Sequence, residues 1–491
     1  MGEGEAARPA PRRGQQDFTQ GPIGKTLIVF TLPMLGSTIL QSLNGSINAV
    51  WVGRFLGEDA LTATANGNIL MFLLVTFVFG LAMAATVLIG QSMGRQDIVA
   101  ARRTLGTATG AFMAGLLVMT AIAWIFAPEL LRLLSTPPAA YELAVDYLRI
   151  ILISIVPAML MMIITQALRG ASDAMTPFWF MILAVVLDAS LNPVFILGLG
   201  PAPELGIVGA GVATTIANTI SMVGLIVYIY SRDLPLRLRG PELGYLKPDR
   251  QLLGIMFKMG IPMGLQMIVM SSSAIVMQGL INRHGVLTTA AYAATSQLWT
   301  YVQMPAMSLG ATSSSMVAQN IGAGNWDRVS QITRTAVLFN ILLTGAFILL
   351  ITLIDEAALS LFLGGDSPAI PIGRHIHLLA TWGFIFFGVT LVLFGTVRGN
   401  GEVIWPLIIM VVAMYPARIG FALLAEPWLG ADAVWWSFPV GSVALVVMAA
   451  ALYLHGGWRK RKLTHPLPSR EEVIEEALAT GEPGGSMNPR G

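Results

Sequence analysis

No cysteine occurs among the 491 residues. That excludes disulfides, thiolate metal sites and cysteine nucleophiles. Histidine is scarce too, at five, and only His375 and His377 stand close together, so no metal centre of the zinc type is expected. Charged side chains make up 11% of the chain, against roughly 25% in an ordinary soluble domain. So few charges cannot cover a soluble protein of this length with solvated groups. A cytosolic enzyme, a nucleic-acid binder and a disordered chain are thereby excluded. Lys and Arg (29) nearly balance Asp and Glu (27), so no polyanionic partner is implied. The composition places the chain in a lipid bilayer.

What is present is a series of long apolar runs. A membrane helix needs roughly 20 mostly apolar residues. Twelve such spans can be marked: 23–52, 62–90, 103–127, 146–168, 174–198, 207–230, 252–281, 289–318, 333–354, 374–396, 402–424 and 433–455. The longest of them tilt, bend or project from the bilayer. Continuous runs such as 69–78 and 443–452 lack the alternation of a β-barrel strand. The fold class is therefore all-α, a polytopic membrane protein. The first 20 residues carry Arg8, Arg12 and Arg13 without an apolar run, unlike a cleavable signal peptide. The tail from Leu463 is polar, and its 471–479 stretch is expected to fray in solvent.

Basic residues fix the expected orientation. With the N-terminus inside, the opposite side holds only Arg54, Arg132, Arg149, Arg283 and Arg374, and Arg418 alone falls deep inside a span, away from its ends. All other Lys and Arg fall on the cytoplasmic side. Both termini are expected in the cytoplasm of a cell that holds this protein in its plasma membrane.

The halves repeat at an offset of about 229 residues. Pro33 matches Pro262, Gln91 matches Gln319, Arg169-Gly170 matches Arg398-Gly399, and Pro177 matches Pro406. The offset covers six spans, an even number, so the two repeats run parallel about an axis along the membrane normal. The expected organisation is a disordered N-terminus over 1–21, an N-lobe over 22–230, a basic linker over 231–251, a C-lobe over 252–456 and a cytoplasmic tail over 457–491. Two such bundles suit a carrier that rocks about a central path. A channel is the competing reading, but no ring of charged or carbonyl-rich filter residues is apparent.

Ionisable residues deep in a bilayer are costly and are functional candidates by default. Away from span ends two remain, Asp188 and Arg418. Asp188 lies ~21 Å along its span from the cytoplasmic end at 1.5 Å per residue. Asn192 follows one turn later on the same face, and Pro193 frees a backbone carbonyl nearby. Carboxylate, amide oxygen and carbonyl together suit a proton or a hard cation such as Na⁺. A polar tie between helices is the competing reading of Asp188. Gln41, Asn44 and Asn48 form one stripe on the first span, and Asn66, Asn68, Thr214, Thr215 and Asn218 are candidates for the same N-lobe cluster. Pro33 and Pro262 mark helix bends. Met263, Met267 and Met270, with Gln266, lie along one face of the seventh span and suit a wall for variously shaped apolar ligands. Helix packing explains them equally. Arg418 sits beside the repeat image of Asp188. Two readings stand for it: a direct pair with Asp188, or satisfaction by carbonyls and water within the C-lobe. A membrane enzyme would need a cluster of reactive groups at one depth, and a lone Asp does not supply it.

At these residues a family resemblance enters. Leu32-Pro33-Met34 followed by Ile47-Asn48-Ala49-Val50-Trp51-Val52-Gly53 resembles the first helix of the multidrug and toxic compound extrusion (MATE) family. So do Ala167-Leu168-Arg169-Gly170, Thr176-Pro177 and Leu191-Asn192-Pro193-Val194-Phe195-Ile196-Leu197-Gly198. The resemblance covers residues 22–456. It implies a V-shaped antiporter that expels amphipathic or cationic organic compounds against inward H⁺ or Na⁺, working as a monomer with no cofactor beyond the coupling ion. It also implies an Asp in the first helix and Asn-x-x-x-Asp-Pro in the fifth. Here Asn48 replaces the first and Asp188 and Asn192 are exchanged in the second. No acid lies in 252–281 or 376–396. This pattern resembles the DinF-like branch, with coupling in the N-lobe at Asp188, Asn192 and Asn48. A lipid-linked sugar flippase of the same superfamily is the alternative.

Overall fold

The structure is a computed structural model that describes residues 17–133, 138–200 and 202–460, without the side chains of 57–63, 65–70, 73, 74, 77 and 138–140. Six helices form the first repeat: α1 (Ile23–Gly94), α2 (Ile98–Ile125), α3 (Ala127–Leu133), α4 (Pro138–Gly170), α5 (Met175–Leu197) and α6 (Gly206–Ser231). The second repeat comprises α7 (Arg250–Asn282), α8 (Val286–Gly322), α9 (Trp326–Leu353), α10 (Asp355–Leu363), α11 (Ala369–Ala380), α12 (Gly383–Gly399), α13 (Ile404–Val412), α14 (Gly420–Leu429) and α15 (Asp432–His455). The described residues contain no strand.

Starts and stops follow local chemistry. Asp97 caps α2 by accepting from the Ala100 amide at 2.9 Å, and Asp249 caps α7 through the Gln251 amide at 2.8 Å. Asp173 opens α5, taking the Thr176 amide at 2.9 Å and its hydroxyl at 2.6 Å. Each supplies an acceptor to helix amides that have no intrahelical partner. Gly198, at φ 66°, closes α5 in the left-handed region, where glycine meets no Cβ penalty.

The sequence reading separated the first two spans by a loop near 53–61. Instead α1 stays helical over all 72 residues, in keeping with the absence of proline between Pro33 and Gly94. A straight helix of that length would reach about 108 Å. Yet Asn320 on α8 donates to the Phe18 carbonyl just before α1 begins, and Gly94 at its end packs on the Gln319 carbonyl. So α1 turns back on itself and supplies two crossings. Nine described helices are long and apolar enough to cross a bilayer, and α11 with α12, bent by 46°, make a tenth. The second limb of α1 and the polar α8 complete twelve. Protein buries the hydroxyls of α8: Thr31 donates to Thr312 at 3.0 Å, and the indole of Trp299 donates to Thr381 at 2.7 Å.

The lobes meet at one end, the end that carries the termini. There Gln91 donates to the Gly399 carbonyl at 2.8 Å, and Gln319 donates to the Gly170 carbonyl at 2.9 Å. These are repeat images reaching across the seam in opposite directions. A Cβ on Gly94 would collide with the Gln319 carbonyl and one on Gly322 with the Gln91 carbonyl, so both glycines are needed for the close approach. Gly80 sits as tightly on Gly260 and Gly264. Phe18, fully buried, packs edge-on against Phe30 at 4.8 Å within a cluster shared by both lobes. Arg328 clamps the same segment through the carbonyls of Phe18, Gln20 and Gly21.

The linker is docked. Its 3₁₀ turn Gly240–Leu246 lies against Gly106 and Gly110 of α2. Arg102 pairs with Glu242, and Arg103 with Asp249, each at 2.5 Å.

Candidate functional site

Asp188 lies on α5, about 20 Å from its first residue, in the half of the N-lobe away from the seam. It is almost wholly buried. Asn48, on the first limb of α1, donates from Nδ2 to Asp188 Oδ2 at 2.9 Å. Thr214 on α6 donates to Oδ1 at 3.0 Å, and Asn192 Nδ2 reaches Oδ1 at 3.2 Å and the Asp188 carbonyl at 2.8 Å. Asn192 also donates to Asn48 Oδ1 at 2.7 Å, and Asn44 stands near the carboxylate. The donors are all neutral, and among the described residues no Lys, Arg or His forms an ion pair with Asp188. Tyr147 on α4 is close enough to feel the carboxylate.

Two oxygens in this cluster have no donor. Asn44 Oδ1 and Asn192 Oδ1 are both buried and unpartnered. An orphaned buried acceptor costs about 1–3 kcal/mol. The cluster thus offers a carboxylate and two idle amide oxygens, and what it lacks is a positive partner. A proton on the carboxyl would turn it into a donor toward such an oxygen. A small hard cation would be ligated by the same set.

The other candidates distribute as follows. Asn48, Asn44, Asn192 and Thr214 converge on Asp188. Thr215 instead bonds the Gly211 carbonyl at 2.7 Å. Gln41 is exposed and Asn218 half-buried, one turn beyond Thr214. The side chains of Asn66 and Asn68 lie outside the described residues. On α7, Met263 is buried in the seam against the second limb of α1. Gln266 is occupied: Arg398 donates to it at 2.7 Å and it donates to the Val403 carbonyl at 3.4 Å. Met267 and Met270 are half-buried. Pro33 and Pro262 are accommodated inside α1 and α7 without ending either helix. Arg418 does not reach Asp188. It lies over the ring of Phe438, 3.8 Å from the centroid, inside the C-lobe.

Sequence reasoning treated Gln91 and Gln319 only as repeat markers. Their crossed bonds make them the closure of the seam. The signal was available: a glutamine near the end of two matched spans, each followed three residues later by glycine. Tyr147 carried no signal, since a tyrosine in a span is ordinary packing.

Comparison with known proteins agrees with this architecture. The MatE family model matches residues 33–194 and again 262–424, beginning at the repeat-related prolines. The chain is 32% identical over 453 residues to Probable multidrug resistance protein YoeA of Bacillus subtilis (strain 168), covering 91% of this chain and 97% of that one. It is 30% identical over 452 residues to Probable multidrug resistance protein YpnP of the same organism, covering 91% and 98%. A solved structure of a multidrug resistance MATE family transporter of the MOP superfamily, in an outward-facing conformation, superposes with a TM-score of 0.81 at 20% identity, covering 92% and 98%. With two matched repeats, twelve crossings and relatives aligned over nine-tenths of its length, this chain belongs to the MATE family of membrane transporters.

Proposed function

We propose that this transporter exports amphipathic, mainly cationic organic compounds in exchange for inward H⁺ or Na⁺, and that Asp188 is the coupling carboxylate. The observation that carries the reading is the Asp188 cluster, a buried carboxylate held by neutral donors and flanked by two orphaned amide oxygens. The relatives named for multidrug resistance support the substrate class. With the termini in the cytoplasm, the seam closes the cytoplasmic end and the Asp188 half faces the exterior. In that state the ion enters from outside and supplies the positive charge that the cluster lacks. Substrate and ion then compete for one N-lobe conformation, and alternating access follows from rocking about the seam.

The test is efflux from proteoliposomes with a pH or a Na⁺ gradient imposed separately and ethidium as substrate. Asp188→Asn keeps size and hydrogen bonding but cannot carry the charge, so it should abolish gradient-driven efflux while leaving folding intact. Asn192→Ala should reduce Na⁺-driven efflux more than H⁺-driven efflux, because only Na⁺ uses the amide oxygen as a ligand. Wild-type rates in Asp188→Asn against a gradient would make Asp188 a structural residue.

A further inference from the structure

The repeat image of Asp188 falls next to Arg418, so the two lobes carry opposite charges at matching depth. Their surroundings differ in one respect that decides function: Asp188 is fully supplied with donors, whereas Arg418 is supplied with almost no acceptor. A π-helical turn over Ala413–Ile419, with Pro416 inside it, joins α13 to α14 and carries Arg418. Such turns insert an extra residue and re-aim the side chains that follow. Gly441 on α15 leaves room for the Arg418 stem, since a Cβ there would lie 2.9 Å from that of Arg418. The guanidinium stacks on Phe438. Its Nε is buried without a partner, and Nη1 finds only the weakly accepting sulfur of Met414, at 3.8 Å. No carboxylate lies within ion-pair distance of it among the described residues. Tyr292 on α8 packs against the same Phe438 ring at 6.2 Å, its ring 5.8 Å from that of Trp299 and 6.1 Å from that of Trp435. Arg418 as a whole is half-buried.

We infer that Arg418 and Tyr292 form a binding site in the C-lobe for the carboxylate or phosphate group of an amphipathic molecule. Stacking on Phe438 fixes the guanidinium plane and leaves its edge free, the arrangement that takes two oxygens of one oxyanion side by side. An unpaired cation in a low-dielectric bundle is unfavourable, and an arriving anion removes that penalty. An amphipathic acid entering from the path between the lobes and an anionic lipid entering from the bilayer share this chemistry. The inference rests on the export reading only for the route by which the soluble acid arrives.

The experiment uses full-length protein in phosphatidylcholine nanodiscs and 9-anthroate, whose fluorescence is excited by transfer from nearby tryptophan, against its methyl ester. Wild type should bind the acid at least ~10-fold more tightly than the ester, the low end for a hydrogen-bonded charge. Arg418→Gln should bring that ratio to about one, and Arg418→Lys should retain part of it. Tyr292→Phe should lower acid affinity by a few-fold. If the natural occupant is lipid, adding phosphatidylglycerol weakens acid binding in wild type and not in Arg418→Gln. If it is a soluble acid, affinity holds. Equal binding of acid and ester by wild type, or a preference that survives in Arg418→Gln, overturns the site. Ethidium carries no oxyanion, so its efflux judges the export reading separately.

Discussion

Removing either glutamine from the seam should open it by a calculable amount. Gln91→Ala deletes the 2.8 Å bond to the Gly399 carbonyl, and Gln319→Ala deletes its image at Gly170. Both side chains are nearly fully buried, so each change leaves a carbonyl without its partner in the closed state. When the seam separates, water can satisfy that carbonyl. The closed state alone therefore bears a cost of about 1–3 kcal/mol, which shifts the closed-to-open ratio by roughly 5- to 150-fold at 1.4 kcal/mol per tenfold. The absence of native cysteine makes the shift measurable. Ser315, 1% exposed on α8 beside Gly90, can become a near-isosteric cysteine. Its labelling by a water-soluble maleimide in detergent-purified protein reports seam opening. The Ser315→Cys background should label slowly, and adding Gln91→Ala or Gln319→Ala should accelerate labelling within that range. The double substitution should not be additive, because the two bonds belong to one interface. Unchanged labelling in both single variants and in the double would refute the claim that these bonds hold the seam.

Other perturbations test separate parts of the structure. Phe18→Ala removes a fully buried ring shared between the lobes and should lower the thermal midpoint, through a cost of about 3–5 kcal/mol, in a fluorescence-detected melt. Gly94→Leu drives a side chain into the Gln319 carbonyl and should prevent closure, read as fast Ser315→Cys labelling with transport lost. Burial holds the Asp173 carboxyl above the usual carboxylate range despite the two bonds from Thr176. The folded protein therefore takes up this proton at a higher pH than the unfolded chain, and the stability it contributes is greatest below the unfolded value and declines as pH rises through the folded one. Asp173→Asn keeps the cap without the charge, so melts from pH 4 to 7 should show a shallower loss of stability with rising pH than wild type. A reporter fused after Lys460 should read cytoplasmic, and an external signal would reverse the orientation drawn from the basic residues.

Membrane spans are legible because a bilayer enforces length and apolarity: all twelve can be marked in the sequence, and ten of the crossings meet a stricter hydropathy criterion among the described residues. The eighth is the instructive case. Its many hydroxyls fail a composition test, yet the span exists because α1, α9 and α12 bury them. The joint between the first two spans was misread for the opposite reason: a reversal was expected there as a loop, but the local residues permit helix and α1 stays helical through it. Asp188 was legible because a carboxylate in lipid demands a role. Spacing placed only Asn192 on its face, while Asn48 and Thr214 could be named as candidates for the same cluster without their contacts. That Asn48 and Thr214 reach the same oxygens depends on how three helices cross, and no spacing encodes that. Arg418 could be placed at matching depth, but the repeat offset could not say whether it faced the other lobe or its own.

The pattern of agreement between the repeats is itself informative. They match where they touch each other: Gln91 and Gln319, Gly94 and Gly322, Gly170 and Gly399 make reciprocal contacts across the seam, so each lobe must present the shape that its image receives. Away from the seam, among the described residues, the Asp188 and Arg418 clusters are each built from one lobe, and this mutual constraint is absent. There the repeats diverge into a carboxylate among amides and a guanidinium among aromatic rings. A symmetric hinge with unlike pockets separates two tasks that a fully symmetric pair could not. Under the proposed function, both lobes move together because their contact is shared, while an ion that selects one pocket leaves the other free for a ligand of different charge. Neutralising the charge in either pocket should therefore leave the seam intact. Asp188→Asn should not alter Ser315→Cys labelling in the absence of ions, and Arg418→Gln should not either. A change in labelling from either substitution would mean that the pockets and the hinge are one unit and that the separation of tasks is wrong.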